Sequence, residues 1–112
     1  MSDLDAELRA ATARVADLEA ELAGIVSTAA ASPPDDEHDV EGSSVGFERA
    51  RVAALLDHAR RHLGDLNRAV RARAAGHYGS CAGCGRPIGA ERLSALPATR
   101  YCVGCAGSAG SR

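Results

Sequence analysis

Tyr78-Gly79-Ser80-Cys81-Ala82-Gly83-Cys84-Gly85 and, further on, Tyr101-Cys102-Val103-Gly104-Cys105 decide how this chain folds. Two residues separate the cysteines of each pair, and seventeen separate the pairs. A two-residue spacing lets a tight knuckle aim both sulfurs at one point. Two such knuckles supply four thiolates in a tetrahedron, which is the closed geometry of a structural zinc site. Cys81, Cys84, Cys102 and Cys105 are therefore the expected ligands of one structural zinc ion, Zn2+. Gly83, Gly85 and Gly104 offer the backbone freedom knuckles use. Two other readings remain: a redox CxxC, or a pair of regulatory disulfides. A redox CxxC sits at a helix start after a strand, and no such pattern surrounds these cysteines. Four committed thiolates leave no open coordination position for a catalytic water, so the site does not read as that of an enzyme.

Around the knuckles, Tyr78, Tyr101, Ile88, Leu93 and Leu96 are expected to pack over the metal module, which spans residues 76–106. His77 precedes the first knuckle, but four cysteines already complete the site. Residues 107–112 read as a disordered tail.

Upstream lie two apolar seams. Leu4, Leu8, Ala11, Val15, Leu18, Leu22 and Ile25 recur at alternating steps of four and three, which predicts a helix over residues 3–29 with Ser2 as N-cap. Val45, Val52, Leu56, Ala59, Leu63, Leu66 and Val70, with Leu55 beside them, predict a second helix over residues 45–75, ended by Gly76 in a left-handed conformation. Between them, residues 30–44 hold Pro33 and Pro34, which stop a helix, and Gly42, Ser43 and Ser44, which suggest a turn and a new N-cap. Two seams with a short connection imply an antiparallel coiled-coil hairpin over residues 1–75. The fold class is mainly α: a helical hairpin with a small C-terminal four-cysteine zinc finger. At about 1.5 Å rise per residue each helix runs roughly 40–45 Å. His58 and His62 stand four apart on the second helix and read as solvated residues, since no third ligand is near in sequence.

The charge is divided. Through Glu48 there are 12 acidic residues and two Arg; from Arg49 onward there are 11 Arg and three acidic residues. The simplest account is that the two halves lie against each other. A nucleic-acid partner on the basic half is the other. No stretch approaches the roughly 18 apolar residues of a membrane span. The acidic start MSDLDAEL is unlike a secretory signal, which points to the cytoplasm. With three aromatic residues and no Trp, the core must be modest, so a metal or a helix seam has to supply much of the stability.

The stretch 78–88, then Glu91-Arg92-Leu93-x-Ala95-x-Pro97, then Cys102-x-x-Cys105, resembles the DksA/TraR family of four-cysteine zinc-finger proteins. That resemblance implies a regulator of transcription that binds bacterial RNA polymerase. It would insert a coiled coil into the secondary channel, so that acidic tip residues approach the active centre, often together with the alarmone ppGpp. It implies no enzymatic activity and no sequence-specific reading of DNA. The family tip carries Asp-x-x-Asp-x-Ala. Asp36 and Asp39 match its two Asp positions, and Glu41 stands where the family has Ala. The ppGpp contacts of longer members depend on a C-terminal helix, for which the seven residues after Cys105 look too few. The chain is expected to act as a monomer. Two other functions stay open at this level. One is a nucleic-acid-binding zinc ribbon using Arg68, Arg71, Arg73, Arg86, Arg92 and Arg100. The other is a thiol-based redox sensor that releases zinc on oxidation.

Overall fold

In the computed structural model, residues 2–31 and 39–110 are described, with side chains described over 4–28 and 44–107. Four helices follow in order: α1 (Ser2–Ala31), α2 (Asp39–Ala75), α3 (Ala90–Ala95) and α4 (Val103–Gly110). The described residues form no strand beyond one isolated antiparallel bridge, Ser80 with Pro87. The fold is mainly α, with α1 and α2 packed as an antiparallel coiled-coil hairpin.

The apolar seam of α1 falls inward as its spacing predicts. Leu4, Ala11 and Leu18 are buried, and Leu8, Val15, Leu22 and Ile25 are half-buried. On α2, Val52, Leu56, Ala59 and Leu66 are buried. Ala69 joins them, a position too small to stand out in the sequence. Val45, expected on the seam, is 40% exposed.

The chain forms two compact units, one of residues 11–61 and one of residues 1–10 with 62–112. In the first, Leu18, Val52, Leu56 and Ala59 form the core, with Val15, Leu22, Ile25 and Leu55 packed against it. Glu19 meets Arg60 at 2.9 Å and Glu21 meets Arg51 at 3.9 Å, so an acidic helix pairs with a basic one in antiparallel sense. All four side chains are about half exposed, and such pairs select register more than they add stability. In the second unit, Asp5 accepts a hydrogen bond from Arg73 at 2.7 Å, and Glu7 lies 4.0 Å from His62. Leu4, Leu66, Ala69, Cys81, Ile88 and Pro97 are its buried apolar residues among the described side chains.

Three boundaries differ from expectation. Helix α2 begins at Asp39 rather than at Val45, so Asp39, Glu41 and the segment Gly42, Ser43, Ser44 lie inside it. Extending a formed helix adds one hydrogen bond per residue fixed, which outweighs the weak propensities of Gly and Ser. Helix α1 begins at Ser2 itself and ends at Ala31, two residues before Pro33. Residues 107–110, expected in a disordered tail, belong to α4. The second knuckle runs straight into that helix: the Ala106 N–H donates to the Cys102 carbonyl at 2.8 Å.

Candidate metal centre

Helix α2 ends where the first knuckle begins, and Gly76 makes the join. Its φ is +88°, the left-handed region in which a side chain is strained. Its N–H donates to the Arg73 carbonyl at 3.1 Å, and the His77 N–H donates to the Ala72 carbonyl at 2.9 Å. These two bonds make a Schellman cap, which turns the chain off the helix axis at a fixed angle.

The first knuckle is closed by main-chain bonds. The Cys81 N–H donates to the Arg86 carbonyl at 2.8 Å, and the Gly85 N–H to the Cys81 carbonyl at 2.9 Å. Gly85 takes φ +78°, the left-handed step that closes the turn. Gly104, expected to play a similar part, has no positive φ and lies in α4. The two knuckles are tied by the Ala82 N–H, which donates to the Arg100 carbonyl at 2.7 Å.

This folding brings the four predicted ligands together. The sulfurs of Cys81, Cys84, Cys102 and Cys105 all lie within 4.8 Å of one another, and Cys84 Sγ is 3.9 Å from Cys102 Sγ. A tetrahedron with Zn–S bonds of about 2.3 Å has edges of about 3.8 Å. All four cysteines are free, so no disulfide competes. Among the described residues this is the one cluster of three or more metal-ligating side chains. His58 and His62 are exposed on α2, and neither they nor His77 join it.

The surroundings favour thiolate. Gly83 N–H donates to Cys81 Sγ at 3.3 Å and Cys102 N–H at 3.4 Å. As free thiols the four would differ. Hydrogen bonds from the backbone of Cys102, then of Cys84 and Gly83, lower Cys81 to about 6. Hydrogen bonds with the thiols of Cys81, Cys102 and Cys84 raise Cys105 to about 12. Four sulfurs crowded together cannot all hold negative charge alone, whereas a divalent cation at their centre removes that repulsion. The donor set fits one zinc ion in a closed, structural site.

Residues 76–109 match the family described as prokaryotic dksA/traR C4-type zinc finger. The chain carries a DksA/TraR C4-type zinc finger. YteA, an uncharacterized protein of Bacillus subtilis (strain 168), is 39% identical over 62 residues, which is 55% of this chain. The chain spans about a quarter of that relative's length, the aligned part being 26% of it. The solved structure of transcription factor DksA2 from Pseudomonas aeruginosa has the same fold. It has a TM-score of 0.67 and 23% identity, covering all of this chain and 86% of that one. The family match thus falls on the zinc finger, and the likeness to DksA2 is one of fold.

Within the finger some side chains take other positions than the sequence suggests. Leu96, expected over the knuckles, is 49% exposed, and the buried residue there is Pro97. Tyr78 explains the exchange: its hydroxyl donates to the Pro97 carbonyl at 2.9 Å and holds Pro97 inward. Tyr101 lies beside Gly83, with the Arg100 guanidinium 5.7 Å from its ring centre. Arg92 turns into the finger, its Nε donating to the Tyr101 carbonyl at 2.9 Å. Helix α3, which carries Arg92, is too short for an apolar period to announce it in the sequence. Of the acidic candidates, Asp39 and Glu41 stand in the first turn of α2, and Asp36 lies outside the described residues.

Proposed function

We propose that this protein is a cytoplasmic regulator of transcription that binds RNA polymerase through the secondary channel. In this reading it is a monomer and not an enzyme. The zinc finger stabilises the chain at the end of α2. Asp36, Asp39 and Glu41, at the connection between α1 and α2, act near the polymerase active centre. The observation that carries the reading is the DksA/TraR C4-type finger on a fold shared with DksA2, which is a transcription factor. The chemistry is consistent with it. Carboxylates are hard oxygen donors, suited to acting on groups around a Mg2+ ion.

Two experiments test it. Pull-down of core RNA polymerase, with a Gre factor as competitor, is expected to show mutually exclusive binding; no binding at micromolar concentration overturns the proposal. Transcription by purified polymerase is then compared for the protein and an Asp36→Asn/Asp39→Asn variant, with and without ppGpp. The variant is expected to bind and to lose its effect.

A nucleic-acid reading has one observation in its favour. Arg68, His77 and Arg100 line a cleft of about 370 Å³ that has no acidic residue on its lining. Against it, Arg68 is paired with Asp65, Arg73 with Asp5, and Arg92 points at a carbonyl. Of the six arginines this reading needs, Arg71, Arg86 and Arg100 are left. Gel shifts at two ionic strengths separate the readings, because phosphate contacts weaken steeply with salt.

A further inference from the structure

We propose that Arg92 is a positioning residue for the zinc ligand Cys81 and acts on it through the Tyr101–Cys102 peptide. The guanidinium Nε of Arg92 donates to the Tyr101 carbonyl at 2.9 Å. Thr99 Oγ1 donates to the same oxygen at 3.3 Å. The N–H at the other end of that peptide, on Cys102, donates to Cys81 Sγ at 3.4 Å. One planar, resonance-coupled unit therefore has a cation on its oxygen and a ligand sulfur on its nitrogen.

The coupling has two parts. A charged donor on the oxygen draws electron density through the amide and makes the N–H a better donor. Such chains strengthen each bond by about 10–30%. The two donors also fix the plane of the peptide, and with it the direction in which the Cys102 N–H points. Both effects strengthen and aim the hydrogen bond that holds the Cys81 sulfur in its place in the cluster. The effect falls on a particular ligand, since Cys81 is the buried member of the set at 3% exposure. No carboxylate pairs with Arg92 among the described ion pairs. Outer-shell partners of this kind orient ligands and set metal affinity. The inference concerns the zinc site alone and stands or falls apart from polymerase binding.

The structure supplies an internal control. Gly83 N–H donates to the same sulfur at 3.3 Å, whereas the Arg92 Nε donates to the Tyr101 carbonyl on the other peptide. The test uses the zinc-loaded full chain with Arg92→Gln, Arg92→Lys and Arg86→Gln. Zinc affinity is read by competition with a chelator, and the Cys102 and Gly83 amides by NMR shift and hydrogen exchange. Arg92→Gln is expected to weaken zinc binding by roughly tenfold. It should move the Cys102 amide upfield and speed its exchange while the Gly83 amide stays in place. Arg92→Lys should fall between, and Arg86→Gln should match the parent. An unchanged Cys102 amide, or equal movement of both amides, overturns the proposal, as does a loss of affinity no greater than that of Arg86→Gln. If Arg92→Gln does not fold, Thr99→Val carries the test. It removes the neutral donor from the same carbonyl and should shift the Cys102 amide in the same direction by less; no shift there overturns the proposal.

Discussion

A Cβ placed on Gly83 would stand 3.0 Å from the Sγ of Cys105 and 3.2 Å from its Cβ. The first knuckle passes so close to the second that only a hydrogen fits between them. The φ of Gly83 is not positive, so its constraint is space and not backbone conformation. Gly83→Ala must therefore displace a zinc ligand. The expected result is a roughly tenfold loss of zinc affinity, by analogy with disturbed outer shells, measured by chelator competition. Gly104→Ala is the control. Nothing lies within 4 Å of its added Cβ, and Ala favours α4, so zinc affinity should not fall.

Gly76 makes a different demand. It has φ +88° with open space around it, so a side chain there meets no neighbour but strains the backbone. Gly76→Ala should destabilise the protein by about 1–2 kcal/mol, read from denaturant unfolding of the zinc-loaded chain. Zinc stoichiometry should stay at one, because the four sulfurs are untouched. A Gly76→Asn variant should lose less, since Asn tolerates the left-handed region.

The contrast between these glycines shows what a sequence exposes. The four-cysteine cluster was legible because coordination needs fixed residue types at fixed spacing. The seams of α1 and α2 were legible because burial repeats at a helical period. Gly76 could be placed too, as the residue after a periodic run. Gly83 could not be told from Gly104, because its constraint is an approach between knuckles seventeen residues apart. The start of α2 was misjudged for a related reason. Gly42, Ser43 and Ser44 look like a stop in local propensity, and propagation from the packed helix overrides them. Arg92 read as one more cation, and nothing local says that it faces a carbonyl nine residues on.

Asp5 and Arg73 join α1 to the end of α2, and their pairing should be visible in pH dependence. The hydrogen bond from Arg73, helped by the charges of Arg73 and Arg9, holds the Asp5 carboxyl below its ordinary value of 3.8. A carboxyl lowered in the folded state contributes stability above its unfolded pKa and loses it as pH falls through the folded one. The difference in thermal midpoint between the parent and Asp5→Asn should thus be constant near neutrality and shrink to nothing below the folded pKa. Taking the difference cancels the zinc loss that acid causes in both proteins. A gap that persists in strong acid, or one absent at neutral pH, removes the ion pair as its source.

The largest apolar side chain lies in water while a smaller one is buried. Phe47, the single Phe of the chain, is 77% exposed, whereas Leu66 is fully buried at 0%. Leu66→Ala deletes methyl groups that are fully buried and leaves a void in the interior. The expected cost is about 2–5 kcal/mol. For a chain with an Ala-rich core that is a large share of a total that is ordinarily about 5–15 kcal/mol. Phe47→Ala removes a ring already in water and should change stability by less than about 0.5 kcal/mol. Urea unfolding of both variants, zinc-loaded and at one protein concentration, ranks them. A Phe47→Ala loss as large as that of Leu66→Ala would mean that the ring is covered in solution by something other than this chain's own core, and repeating the unfolding at a second protein concentration would then show whether a second copy covers it.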